Sequence, residues 1–252
     1  MEDRKGRFNV FRLQACCLFL IILLDGAVLG TAFGVMHGAA GTGVSADSAN
    51  MVAVKDREIP AGSPEAASGS VVALTFDDGP HREYTARLLD GLKARNVKVT
   101  FFLMGENISG NEDLVKRMQQ EGHLIGNHSY CHIELTKIGE QAVCQAVEET
   151  GQMINDITGS RPQYLRPPYG AWNDTLDACT DLNPVFWSVD SLDWNLQNTG
   201  QIVRRVLDKV KNGDVILMHD IFPTSVEAAL QIVDALQAEG YQFVTVDELL
   251  ID

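Results

Sequence analysis

No Gly-rich phosphate loop follows any apolar run in these 252 residues: G-x-G-x-x-G and G-K-[ST] are both absent, which takes away the main support for a nucleotide-binding fold. H-E-x-x-H is missing too, so the helix-borne zinc site of metalloproteases is not expected. There is no block of lysines or arginines. With 34 acidic against 20 basic residues the net charge is −14, a surface that repels a phosphate backbone, and nucleic acid is not an expected partner. Cysteine is scarce at five residues. Cys16 and Cys17 lie in an apolar segment, leaving Cys131, Cys144 and Cys179. An odd three excludes a full disulfide framework, although one bridge suits an exported domain. No internal repeat is visible.

What is present divides into three parts. Arg4, Lys5, Arg7 and Arg12 precede an apolar run from Ala15 to Leu24; Asp25 interrupts it, and a weaker apolar stretch reaches Met36. A basic region followed by an apolar one reads as an export signal, so residues 1–37 are expected to be a signal peptide or a membrane anchor. V-S-A offers cleavage after Ala46, whereas about twenty apolar residues suffice to span a bilayer. The retained anchor is the favoured expectation, with the basic end inside and the rest of the chain outside. Residues 38–70, rich in Gly, Ala and Ser, read as a flexible tether. The folded domain is expected over 71–252, with 14 basic and 27 acidic residues.

From Val71, short apolar runs alternate with helical patterns. V-V-A-L-T-F, V-K-V-T-F-F-L-M, H-L-I-G-N, Q-Y-L-R, P-V-F-W-S-V, V-I-L-M and Q-F-V-T-V read as strands. Amphipathic helices are expected over 82–95, around 111–121, from about Gly139 to Ile157, and near Asn173, Gln201 and Ser225. Such alternation predicts an α/β domain with a parallel sheet covered by helices, doubly wound or closed into a barrel.

Polar clusters fall at the C-terminal ends of these strands: D-D-G-P, H-S-Y-C-H, R-P-P-Y-G, D-S-L-D-W and H-D. Turn propensity accounts for Gly, Pro and Asp there, but not for three histidines and an arginine. In a barrel, that face is where catalytic residues converge. His128 and His132 stand four apart, a spacing that puts two imidazoles on one face of a helical turn. One carboxylate completes a three-ligand catalytic metal site, and Cys131 projects elsewhere on such a turn. Of the neighbours Asp77 and Asp78, one can ligate a cation while the other serves as general base. Arg166, stiffened by two prolines, suits orienting a carboxylate; His219 suits a general acid, and one of Asp190 and Asp193 can hold it protonated. Trp194 with Tyr169 suits a groove for sugar rings.

These five motifs in this order resemble those of the polysaccharide deacetylases, the NodB-homology or carbohydrate esterase family 4 enzymes, over residues 71 to about 250. The resemblance implies an incomplete, distorted (β/α) barrel. It implies Asp77 as general base, oriented by Arg166, and a divalent metal held by Asp78, His128 and His132, usually Zn2+, with Co2+ or another divalent ion as alternatives. His219 is implied as the general acid tuned by Asp193, the aspartate beside Trp194. The peptide N–H of Tyr169 is implied at the oxyanion, and Leu217 at the acetyl methyl. No motif residue departs from the family pattern, so an active hydrolase of N-acetyl groups is expected. Peptidoglycan N-acetylglucosamine is the favoured glycan and chito-oligosaccharide stands close behind; Tyr169 leans against muramic acid, and O-acetyl xylan is weaker still. The rival of another class is a silent, envelope-anchored glycan-binding protein. The expected location is extracytoplasmic, anchored or secreted, and the expected state a monomer.

Overall fold

Alternating strands and helices are realised as a parallel sheet wrapped by helices in the computed structural model, which describes residues 69–251. The signal-or-anchor segment and nearly all of the tether fall outside the described residues. Among those described, no helix is long and apolar enough to cross a membrane.

Strands β1 (Val71–Asp77), β2 (Thr100–Leu103), β3 (Leu124–Asn127), β4 (Tyr164–Leu165), β5 (Asn183–Pro184), β6 (Val189–Asp190), β7 (Val215–His219) and β8 (Gln242–Val244) form one sheet. Its order is β5-β4-β3-β2-β1-β7-β6, and all the pairs are parallel. Ala73 pairs with Val215 and also with Val244, so β8 takes the start of the β1 edge that β2 occupies from Thr75 onward. The helices are α1 (Tyr84–Ala94), α2 (Gly105–Ile108), α3 (Glu112–Gln120), α4 (Glu140–Thr158), α5 (Asp174–Cys179), α6 (Asp193–Leu196), α7 (Thr199–Leu207), α8 (Pro223–Ala238) and α9 (Val246–Ile251).

A period of two sorts the strand residues between two faces. Val72, Leu74 and Phe76 join Phe101, Leu103, Ile216 and Met218 in the main core beneath α1, α3, α7 and α8. Ala73 and Phe102 point the other way, into a smaller core with Tyr164, Val185 and Val246. Burial on both faces is why these strands read as nearly unbroken apolar runs.

The expected single strand P-V-F-W-S-V is instead two short strands at opposite ends of the sheet order. Val185 N–H still donates to Leu165 O beside β4, and Ser188 N–H already donates to Val215 O beside β7. Four residues reach at most about 14 Å. The two sheet edges must therefore curl toward each other, and the sheet forms a half-barrel. Q-F-V-T-V is also shorter than expected, because Thr245 caps α9 and its N–H donates to Glu248 Oε2 at 2.9 Å. Four other helix ends follow ordinary signals: Asn173 and Asn198 accept N–H groups as N-caps, Pro223 opens α8, and Gly159 closes α4 in the left-handed region.

A satellite core of Leu135, Val143, Ala146, Val147, Leu165 and Leu176 supports the loop after β3. Cys144 of α4 and Cys179 of α5 form the one bridge that the cysteine count allowed, across a separation of 35 residues. Closing a loop of that length stabilises a fold by about 3–4 kcal/mol in the chain-entropy account. Cys144→Ala/Cys179→Ala is expected to lower stability by roughly that amount in urea denaturation. A denaturation midpoint that neither the substitution nor a reductant moves overturns this expectation.

Candidate active site

Asp77 ends β1 and His219 ends β7, and the two are direct partners across the ladder. His128 follows β3, Arg166 follows β4, and Asp193 opens α6 just after β6. Adjacent strand ends thus bring together all five polar clusters of the sequence.

Asp77 and Thr75 share a face of β1, as i and i+2 residues must, and Leu217 and His219 share the matching face of β7. Into this face reaches Arg166, which is fully buried. Its Nη1 donates to Asp77 Oδ1 at 2.8 Å and to Thr75 Oγ1 at 2.6 Å. Nε and Nη2 donate to the carbonyls of Val185 and Phe186, at 3.3 and 3.2 Å, in the segment that closes the half-barrel. The guanidinium also stacks on Phe102, 4.3 Å from the ring centroid, with Trp187 beyond at 5.8 Å. Burial pulls the Arg166 pKa down, and the Asp77 carboxylate opposes that shift.

Asp78 does not continue the strand. It takes φ 69°, and its carbonyl accepts from Asn107 Nδ2 at 2.7 Å. This left-handed step lets two neighbouring carboxylates face one site, which a plain extended strand end forbids. Asp78 Oδ1 lies 3.4 Å from His128 Nε2 and 3.6 Å from His132 Nε2. Burial opposes ionisation of Asp78, but His128, His219 and His132, when they carry charge, outweigh it and hold its pKa below the ordinary value.

The two histidines are not carried on a helical turn as their spacing suggested. H-S-Y-C-H is an irregular turn with left-handed residues at Ser129 and His132, and it brings the imidazole centroids to 5.0 Å at an angle of 55°. His128 Nδ1 lies 2.7 Å from Arg166 O. Since a carbonyl only accepts, Nδ1 carries a proton, and in the neutral imidazole Nε2 is the atom that presents a lone pair. That Nε2 and Asp78 Oδ1 are buried without a hydrogen-bond partner among the described residues. Two bare acceptors this close call for a cation. The edge of a tetrahedral zinc site with bonds near 2.1 Å is about 3.4 Å, close to these separations. Asp78, His128 and His132 together place one ligand atom each within 4.8 Å of the others, so the residues fit a metal. Cys131 is not in that cluster. Burial lowers the His132 pKa, which keeps its lone pair available.

His219 is bound by Asp193 twice over. Its Nδ1–H donates to Oδ1 at 2.7 Å, and its backbone N–H donates to Oδ2 at 2.8 Å. Asp190, the other aspartate of that motif, instead accepts the Leu192 N–H at 2.8 Å. Burial lowers the His219 pKa, but the Asp193 hydrogen bond and charge, with Asp77 and Asp78, raise it to about 9. Nε2 of His219 stands 4.0 Å from Asp78 Oδ2, facing the cluster. Leu217, buried, lies below. Tyr169 takes φ 60°, and its ring meets His132 edge-on at 4.7 Å. Tyr169 and Trp194 are 66% and 51% exposed, unusual for large aromatics and suited to a rim that receives a ligand.

Several participants escaped sequence reasoning. Thr75 could have been found, because the period of two puts it on the Asp77 face. Phe102, Trp187 and the carbonyls of Val185 and Phe186 carried no local signal. Asp220 stood in the H-D cluster but was given no role; it is a fully buried carboxyl raised by burial to about 7.

Among known proteins, residues 65–183 match the family model described as polysaccharide deacetylase. The peptidoglycan-N-acetylglucosamine deacetylase PgdA of Listeria monocytogenes is 42% identical over 74% of this chain, which spans 40% of that protein's length. The solved structure of the peptidoglycan deacetylase PdaC from Bacillus subtilis is 40% identical, with TM-score 0.71, over 72% of this chain and 90% of that one. In full that protein is described as a peptidoglycan-N-acetylmuramic acid deacetylase. A family 4 acetyl xylan esterase from Clostridium thermocellum, solved with a cobalt ion, is 34% identical with TM-score 0.69, over 72% of this chain and 90% of that one.

His219 titration follows from the Asp193 pair. A histidine whose folded pKa is raised to about 9 stabilises the fold fully below the ordinary value of 6.5, and that contribution fades as pH rises through 9. Asp193→Asn is expected to bring the His219 pKa down in metal-free protein followed by NMR, and to flatten the pH dependence of stability between those values. A His219 signal that titrates unchanged in the variant overturns the pairing.

Proposed function

We propose, for a chain that belongs to the polysaccharide deacetylase family, that it hydrolyses N-acetyl groups of a cell-wall glycan with a divalent cation as cofactor, releasing acetate. One observation carries the reading: Asp77, paired with Arg166, and His219, paired with Asp193, both face the three-ligand cluster of Asp78, His128 and His132.

Asp77 is the general base. Arg166, itself held by Thr75, fixes its Oδ1 side, while Oδ2 stands 3.7 Å from His128 Nε2, beside the cluster, free to take a proton from an attacking water. Asp78, His128 and His132 hold the cation, which we take to be zinc, with Co2+ able to replace it. When bound, that ion supplies Lewis acidity toward the acetamide carbonyl and its water. The Tyr169 peptide N–H aids at the developing oxyanion. Leu217 lines the place of the acetyl methyl. An amine is a poor leaving group, and His219, held protonated by Asp193, delivers the proton it needs. Tyr169 and Trp194 form the sugar-binding rim.

The relatives favour peptidoglycan over chito-oligosaccharides, and N-acetylglucosamine is our choice within it. Acting there places the domain outside the cytoplasmic membrane, consistent with an N-terminal export segment or anchor. The acetyl xylan esterase with cobalt keeps an O-acetyl glycan as a second reading.

To test this, zinc-loaded full-length protein is incubated in parallel with peptidoglycan and chitin oligomers, and fragments are analysed by mass spectrometry. Loss of single acetyl units from N-acetylglucosamine is expected, with acetate released. Asp77→Asn is expected to keep the metal and cut turnover by about 10²–10⁴-fold, the range typical of a general base. Asp78→Ala is expected to lose the metal itself. Equal metal loss in both variants overturns the division of roles, and glycan binding without acetate from the native protein supports a silent binding protein instead.

A further inference from the structure

Asp220 has no part in the chemistry proposed above, yet it is fully buried against the turn that carries Asp77 and Asp78. Thr85 Oγ1 donates to Asp220 Oδ2 and itself accepts the His81 N–H at 2.7 Å, so the carboxyl is tied to the start of α1. Oδ1 is buried with no hydrogen-bond partner among the described residues.

The edge of this carboxyl abuts Gly79. A Cβ built on Gly79 would stand 2.7 Å from Asp220 Oδ2 and 2.9 Å from Cγ, and closer still to Oδ1, inside the 3.0 Å that real Cβ atoms essentially never cross. Gly79 is not among the positive-φ residues, so space and not backbone conformation requires glycine there. Asp78, the left-handed residue just before it, is held by Asn107 through its carbonyl. The peptide between these restraints has little room to move.

We propose that Asp220 is a positioning residue for Asp78: its buried carboxyl is the stop on which Gly79 seats, and Gly79 sets where the Asp78 carboxylate stands relative to His128 and His132. This rests on the reading of Asp78 as a metal ligand. Asp220 touches neither cation nor substrate and acts through the turn. Residues that orient metal ligands typically alter affinity by about 10- to 100-fold when changed.

The test is a volume exchange read by Co2+ titration of the metal-free full-length protein, following affinity and the visible bands that report ligand geometry. Gly79→Ala is expected to weaken Co2+ binding by about 10- to 100-fold and to shift the bands. Asp220→Ala is expected to weaken it as well, by loosening the turn. Combining Gly79→Ala with Asp220→Ala is expected to recover much of the loss, because the new methyl group enters the space the carboxyl leaves. Asp220→Asn, of the same shape, is expected to bind close to wild type. Thermal unfolding with and without Co2+ separates positioning from bulk destabilisation: a positioning role shrinks the gain on metal binding, whereas a purely structural one lowers both curves together. Wild-type affinity and bands in Asp220→Ala, or a double variant no better than Gly79→Ala, overturn the proposal. Should the Gly79→Ala chains fail to fold, loss in Asp220→Ala with retention in Asp220→Asn supports it, and retention in both overturns it. Unchanged Co2+ affinity in Asp78→Ala sinks the ligand reading beneath it instead.

Discussion

A single buried guanidinium holds the half-barrel and its site in register. Arg166 links β4, which precedes it, to Thr75 and Asp77 of β1 and to the carbonyls of the segment that runs from β5 to β6. Taking a charge out of water costs several kcal/mol, and a buried ion pair is poor evidence of net stability. The pair is better understood through what its absence leaves behind, an uncompensated carboxylate at the centre of the sheet. Because four of its five donors are committed to separate acceptors, the guanidinium admits few arrangements of its surroundings. The same contacts that close the sheet therefore fix the base, and fold and site share one constraint.

Backbone conformation shows where the chain departs from its easiest path. Among the described residues, seven non-glycine residues have positive φ, and Asp78, Ser129, His132, Tyr169 and Leu192 belong to the motif loops. Such residues cost on the order of 1–2 kcal/mol each and persist where the surroundings determine them. Each redirects a strand-end loop so that side chains or peptide groups meet above the sheet. Two of them, Asp78 and His132, belong to the metal cluster. Their strain is offset by burial elsewhere, in a sheet apolar on both faces.

Much of this was legible in the sequence because parallel strands announce themselves. Their apolar runs mark where the chain is buried, and polar residues at the run ends mark the single face where loops gather. That logic located Asp77, Asp78, His128, Arg166 and His219 without any knowledge of their contacts, and it left Asp190 and Asp193 as alternatives between which the family resemblance chose. It failed where tertiary geometry overrides local pattern. P-V-F-W-S-V has the composition of one strand, but the curling of the sheet divides it between two edges. H-x-x-x-H suggested a helical turn, whereas two left-handed residues do the joining. Asp220 could not be distinguished from an ordinary turn aspartate, since only the fold brings it beneath Gly79.

The charges of the site explain why it is suited to a divalent ion. Three carboxylates lie at these strand ends, and two already have cations. Asp77 has Arg166, and Asp193 has His219, whose raised pKa keeps it charged at neutral pH. Asp78 has no such partner of its own: His219, 4.0 Å away, is already paired with Asp193, the Nδ1–H of His128 is spent on Arg166 O, which leaves the Nε2 of the neutral ring as its lone pair, and burial disfavours protonation of His132. The third carboxylate is thus the one left for an external cation, and its neighbours are disposed as ligands instead of counter-ions. Asp78 Oδ1 and His128 Nε2, both buried without a hydrogen-bond partner among the described residues, stand 3.4 Å apart, a separation that suits two ligands of one ion. Asp77 and Asp78, adjacent in sequence and alike in chemistry, differ in function because one neutralising charge is built into the chain and the other has to be bound.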